Sequence, residues 1–109
     1  MKPENIFAKI PKKLSRELFN TILSKNNIKI EKIVSKNHIT PKGKWYSQNK
    51  NEFVIILKGS AELLFFPYKK YPKGHKIKMK TGDYINIPAH IKHRVDKTSK
   101  KTIWLAVFY

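Results

Sequence analysis

The stretch Gly82–Val95, GDYINIPAHIKHRV, decides the fold of this chain, and it holds two of the four histidines, His90 and His93. Pro88 ends one strand here, because proline lacks the N–H that a strand ladder needs. His93 then opens the next strand with Val95 on the same face, since alternate residues of a strand share a face. The pattern predicts that His93 points inward and that His90 lies on an exposed turn.

Short strands extend in both directions from this stretch. From residue 28 onward, apolar segments alternate with turn residues, a pattern typical of a sandwich or barrel. There is no βαβ alternation, linker or internal repeat. The predicted strands are 28–35, 43–48, 53–58, 60–66, 75–80, 84–88, 93–97 and 102–108.

The N-terminal part shows a different periodicity. Leu14, Leu18 and Ile22 recur at helical spacing, which predicts one short helix over residues 15–25. The 109 residues suit a single domain. We therefore expect an all-β domain, residues 1–109, made of a helical extension at 1–27 and a barrel at 28–109.

Composition limits the function classes. The chain has no cysteine, so disulfides and thiolate metal sites are excluded. No apolar run approaches the roughly 20 residues that cross a bilayer, and the first residues lack the pattern of a signal peptide. We expect no membrane partner and a cytoplasmic location.

The net charge of +17, from 24 basic and 7 acidic residues, raises the question of a polyanionic partner. Only Arg16 and Arg94 are arginines, and phosphate sites commonly use arginine forks as well as lysine. The many lysines occur with Ile, Asn, Phe and Tyr, which share A/T-rich codons, so genome composition explains much of the excess. Nucleic-acid binding, if present, is expected to be weak and independent of sequence.

Two segments resemble the two motifs of the cupin superfamily, in particular its small single-domain bacterial members. In EFVIILKGSAELLF, residues 52–65, Glu52 is followed by Gly59 after six intervening residues. In the second segment, Gly82 is followed after five residues by Pro88, and His93 comes five positions later. The resemblance covers the chain from about residue 28 to its end. It implies a cupin-type jelly-roll β-barrel with a pocket in its mouth.

The resemblance also implies a metal site. In this family the first motif supplies two histidines and a glutamate, the second supplies one histidine, and together they hold a divalent ion. By position, His93 falls on the metal histidine and Glu52 on the metal glutamate. The histidine pair of the first motif falls on Tyr46 and Gln48 in one register.

In the alternative register the same pair falls on Trp45 and Ser47, and neither register supplies a histidine. Alternation along a strand would put Tyr46 and Gln48 on one face. With His93 and Glu52, Gln48 would complete an N/O donor set for Zn, Ni, Fe or Mn, with Tyr46 and His38 as further candidates. The predicted pocket is lined by Tyr46, Gln48, Glu52 and His93.

Three functions follow as alternatives. The first is a metal-dependent enzyme acting on a small molecule, of unknown substrate and with no catalytic residue assigned. The second is a metal-free binding or sensor module that uses the same pocket. The third is a basic nucleic-acid-associated protein. A homodimer is the assembly that we expect, if the protein forms one.

Overall fold

The computed structural model describes all 109 residues and contains eight strands and no helix. No segment of it is therefore a helix that could span a membrane. The strands in chain order are β1 (Leu18–Lys25), β2 (Ile28–Ser35), β3 (Glu52–Lys58), β4 (Ser60–Phe65), β5 (His75–Lys80), β6 (Tyr84–Ile87), β7 (His93–Thr98) and β8 (Thr102–Phe108).

The strands form two antiparallel sheets. The larger has the order β1-β2-β8-β3-β6, and the smaller has the order β5-β4-β7. Four of the seven connections, those after β3, β5, β6 and β7, pass between the sheets, so residues distant in sequence meet across the interior. The all-β fold and its arrangement in two sheets agree with the expected jelly roll.

The helix predicted over residues 15–25 is wrong, and with it the helical extension at 1–27. Leu18–Lys25 is a strand that pairs with β2 through a two-residue turn, in which Asn26 has a φ of 54°. The ladder shifts register between Thr21 and Leu23. This bulge at Ile22 breaks the two-residue alternation, which is why the apolar residues looked helical. As a strand, the segment also pairs with the backbone of buried β2 on the side opposite β8.

The first seventeen residues are irregular and are held by side-chain bonds from β2 and the loop after it. Lys32 Nζ donates to the Ala8 carbonyl at 3.0 Å, and Lys36 Nζ donates to the Lys12 carbonyl at 2.7 Å. These bonds fix the approach of the chain to β1.

The strand predicted at 43–48 is also wrong, because only one bridge forms there. Tyr46 and His93 exchange both backbone hydrogen bonds, at 2.7 and 3.0 Å. Gln48 continues the contact by accepting a bond from the His90 N–H at 2.7 Å. The segment therefore lies beside the turn that precedes β7, although it does not join a sheet.

Ten buried apolar residues from both sheets form the core: Ile33, Val54, Ile56, Ala61, Leu63, Phe65, Met79, Ile87, Trp104 and Ala106. Buried residues alternate along β3 and β4, as a half-buried sheet requires, whereas the first three residues of β8 are all buried. The core therefore lies between the two sheets.

Gly59 makes the tight connection between β3 and β4. Its φ is +90°, and a Cβ there would collide with the carbonyl oxygen of Lys101 and the hydroxyl of Ser99. The glycine of the first motif is therefore required by the backbone geometry, whatever the chemistry of the pocket.

Candidate functional site

A cavity of about 170 Å³ opens between the two sheets. Nine of its thirteen lining residues are hydrophobic, and the four polar ones are Glu17, Gln48, Glu52 and His93. All four residues predicted to line the pocket, Tyr46, Gln48, Glu52 and His93, do lie along its wall. A few convergent polar groups in an apolar cleft are typical of a small-molecule site.

The start of β7 places His93 inside the barrel. β6 ends at Ile87, immediately before Pro88, and β7 begins at His93, as predicted. His93 is 5% exposed, whereas His90 is exposed on the turn with a φ of 69°. The two histidines of this stretch therefore have different environments, and only His93 reaches the cavity.

Glu52 faces His93 from the first residue of β3. Its Oε1 lies 3.6 Å from His93 Nε2, and the same oxygen accepts a 2.8 Å hydrogen bond from the Gln48 amide. The other ring nitrogen of His93, Nδ1, lies 3.0 Å from the carbonyl oxygen of Ile91. Because a carbonyl only accepts, Nδ1 carries the hydrogen, and the neutral ring would turn a bare Nε2 toward the carboxylate.

This geometry favours protonation of His93. Burial alone lowers the pKa of the imidazole, but the contact with Glu52, the Ile91 carbonyl and the charge of Glu52 together raise it above its ordinary value of 6.5. At 3.6 Å the contact with Glu52 is longer than a standard hydrogen bond. We therefore attribute the effect of Glu52 on the pKa of His93 mainly to the charge of the carboxylate. A barrel that only desolvated His93 would have shifted the pKa in the opposite direction.

Tyr46 forms the wall of the cavity near solvent and is 39% exposed. Partial burial, the charge of Glu17 and, less strongly, that of Glu52 raise the pKa of its phenol, and the side chain of Thr40 acts in the opposite direction. Both carboxylates of the cavity therefore oppose ionisation of this phenol.

Glu17 is a site residue that sequence reasoning missed. Its Oε2 accepts a 2.5 Å bond from the hydroxyl of Ser35, which in turn accepts a 3.1 Å bond from the indole N–H of Trp104. This chain of bonds fixes the carboxylate and the indole on the same cavity wall. No motif marks Glu17, because it reaches the cavity only when the segment before β1 packs against β2.

His38 does not join this group. Its Nδ1 accepts a 2.8 Å bond from the Lys36 N–H, and its Nε2 lies 3.1 Å from the Leu14 carbonyl. Both ring nitrogens are thus used to hold the N-terminal segment. The alternative pair, Trp45 and Ser47, also lies outside the cavity lining.

The donor set for a divalent ion is small. Zinc sites normally use three or four protein ligands, usually histidine, cysteine or carboxylate. No group of three such residues comes together anywhere in the structure, and here only His93 and Glu52 converge. The Glu52 oxygen that faces His93 already accepts the amide N–H of Gln48. These residues do not fit a resident transition metal, and we derive no chemical step through one.

The chain resembles several solved structures. It is 34% identical to a candidate mannose-6-phosphate isomerase from Ralstonia eutropha JMP134, with a TM-score of 0.88 over 99% of this chain and 97% of that one. It is 16% identical to a cupin superfamily protein from Desulfitobacterium hafniense DCB-2, with a TM-score of 0.73 over 91% and 82% of the two chains. The chain belongs to the cupin superfamily. The sequence resemblance is thereby confirmed.

A more distant similarity shows only the shared fold. Hydroxypropylphosphonic acid epoxidase from S. wedmorenis is 16% identical, with a TM-score of 0.71 over 88% of this cupin and 52% of that chain. Another structure of the same fold, Fe(II) HppE, is 14% identical with a TM-score of 0.71, so some proteins with this fold bind metal. No family model and no curated protein matches the chain.

Proposed function

We propose that this cupin binds a small molecule in the barrel mouth and that Glu52 and His93 contact it there. The observation that carries the proposal is a buried carboxylate–imidazole pair in the wall of an otherwise apolar cavity. Burial of such a pair costs free energy in desolvation. Perturbed titratable groups in a cleft are therefore candidates for function, although structural ion pairs also occur.

The pair supports proton transfer as the chemistry of the site. A protonated His93 can donate from Nε2, and a carboxylate such as Glu52 can accept, so both roles of acid–base catalysis are present 3.6 Å apart. The neighbouring Gln48 holds the carboxylate by one bond at 2.8 Å and leaves its second oxygen, Oε2, without a hydrogen bond from the protein. A bound molecule would meet this oxygen and the imidazole together.

The divalent ion predicted from the sequence, with His93, Glu52 and Gln48 as ligands and Tyr46 beside them, is not part of this proposal, because only His93 and Glu52 converge. The homodimer and the cytoplasmic location stay predictions.

The two tryptophans of the chain provide the test. Trp104 lines the cavity, whereas Trp45 packs against Phe66 outside it, with ring centroids 5.1 Å apart. In ¹⁵N–¹H spectra, benzyl alcohol at millimolar concentration should move the indole signal of Trp104 and leave that of Trp45 in place.

A cavity-filling variant makes the test specific. Val95→Phe adds a ring to the cavity wall and should abolish the response of Trp104. The matched control is Val107→Phe, because Val107 lies on β8 between Ala106 and Phe108, whose side chains point inward, and so faces the opposite side. Equal responses in the two variants, or none in the wild type, would count against a ligand site in the barrel.

A further inference from the structure

We propose that the cavity selects a compact organic cation, a ring-sized apolar group carrying an ammonium, and rejects anionic ligands such as sugar phosphates. This inference rests on the proposed function, because it assigns a ligand class to the same cavity. The observations that carry it are the distribution of charge, the aromatic lining and the size of the cavity.

The charge of the cavity is opposite to that of the protein. The chain has 24 lysines and arginines and only 7 acidic residues, yet the lining includes two carboxylates and no lysine or arginine. Glu17 and Glu52 give the cavity a net charge of −2 when His93 is neutral and −1 when it is protonated. A genome-wide excess of lysine does not explain why the cavity lining has two carboxylates and no lysine.

Two cations that neighbour lining residues are already engaged elsewhere. The Lys29 Nζ lies 5.0 Å from the ring centroid of Phe108 and 3.5 Å from a carboxylate oxygen of Glu31. Arg94 points to the other side of β7, where it donates to Asp96 at 2.7 Å and lies over Trp45. The fold also has no helix, so no helix N-terminus adds positive potential.

The aromatic side chains of the lining suit a cation. Phe19, Tyr46, Trp104 and Phe108 all line the cavity. The face of an aromatic ring carries partial negative charge and attracts an ammonium group within about 6 Å. The carboxylates that raise the pKa of Tyr46 would stabilise a cation held beside its ring.

The size of the cavity sets the scale of the ligand. Its volume of about 170 Å³ is close to that of a cavity of roughly 150 Å³ that admits benzene. A sugar phosphate is larger, and its dianion would enter a negative cavity without an arginine or lysine to pair with. Proteins normally bind phosphate with those residues. The isomerase assignment of the 34% identical relative therefore does not transfer to this cavity.

The experiment compares ligands that share a ring and differ in charge. Benzylammonium, benzyl alcohol and benzoate are titrated at pH 7 and 0.15 M salt, where unspecific attraction to exposed lysines is largely screened beyond about 8 Å. The readout is the indole signal of Trp104, with Trp45 as the internal reference. We expect benzylammonium to bind at least about fivefold more tightly than benzoate, which corresponds to ~1 kcal/mol. Mannose 6-phosphate should leave Trp104 unchanged.

Two carboxylate variants locate the effect. Glu17→Gln keeps the bond that Ser35 donates, so it should weaken benzylammonium severalfold and leave benzyl alcohol within about twofold. The control is Glu62→Gln, because Glu62 lies on β4 between the inward residues Ala61 and Leu63 and pairs with Lys78 outside the cavity. It should change neither affinity.

The outcomes separate the two proposals. If benzoate or mannose 6-phosphate binds as tightly as benzylammonium and moves Trp104, the charge inference is overturned while the cavity remains a ligand site. If none of the ring compounds moves Trp104, both proposals fall. A loss of benzylammonium affinity in Glu62→Gln equal to that in Glu17→Gln would also overturn the inference, because the effect would then come from overall charge.

Discussion

Replacement of Glu52 by glutamine should reverse the direction in which the folded protein shifts the pKa of His93. Wild-type His93 has a pKa above 6.5, because the influence of Glu52 and the Ile91 carbonyl exceeds that of burial. The Glu52→Gln variant keeps a side chain of nearly the same shape but removes the charge. Burial then dominates, and the pKa of His93 should fall below its ordinary value.

The magnitude follows from the distance between the two groups. Unit charges 3.6 Å apart attract by roughly 4–5 kcal/mol at an effective dielectric constant of about 20. The side chains of His93 and Glu52 are only 6% and 13% exposed, so solvent screens this attraction little. Desolvation offsets part of it, and we expect a net coupling of ~1–3 kcal/mol.

The sign of the pH dependence is fixed by the direction of the shift. Because folding raises the pKa of His93, its contribution to stability is fully present below pH 6.5 and is lost as the pH rises through the raised value. Urea unfolding at pH 5.5 and 8.5 should show this loss in the wild type and in Glu62→Gln. In Glu52→Gln the contribution of His93 to the free energy of unfolding should instead increase as the pH rises.

Two measurements decide the matter. Long-range ¹⁵N–¹H spectra follow the His93 ring through the titration, and the unfolding curves give the free energies. A wild-type His93 that titrates below 6.5, or a Glu52→Gln variant whose His93 curve is unchanged, would refute the reasoning.

Three further predictions concern the backbone, the metal and the charge. Gly59→Ala should destabilise the fold more than Gly82→Ala. Both residues have a positive φ, which should cost ~1–2 kcal/mol on its own, but only at position 59 would the added Cβ also collide with neighbouring atoms. Thermal unfolding of the two variants measures the difference. Elemental analysis of protein purified without a metal-affinity tag should find well under one equivalent of divalent metal; a full equivalent that is lost in His93→Ala and kept in His90→Ala would instead establish the metal site. Any binding to nucleic acid should weaken steeply with salt and show no sequence preference in a titration; a salt-resistant, selective complex would contradict this.

The barrel could be predicted from the sequence because its strands carry strong local signals. Pro88 and the glycines at 59 and 82 mark turns, and the apolar residues between them alternate or run together over short lengths. The strands at 28–35, 75–80 and 102–108 occur with the predicted bounds. These features depend on neighbours along the chain, so no tertiary information is needed to find them.

The N-terminal strand could not be predicted in this way. Its bulge at Ile22 mimics helical spacing. The strand β2 that comes next in the chain could have followed either a helix or a strand. The two-asparagine turn at 26–27 was a hairpin signal, since Asn26 tolerates a positive φ. What decides between helix and strand is the backbone edge of β2, which would have no partner if the segment were a helix. This edge exists only once the sheet has formed.

The same limit explains why the polar end of the cavity was predicted only in part. Glu52 and His93 stand at fixed offsets from motif residues, so their positions could be read from the sequence. Glu17 has no such reference, since it enters the site through the bond with Ser35, eighteen positions away along the chain. Glu17 adds a second carboxylate to the cavity. A site that lacks two of the metal histidines is therefore a negatively charged pocket with an aromatic wall. The motif therefore indicates where the site lies, while residues outside the motif decide what it can bind.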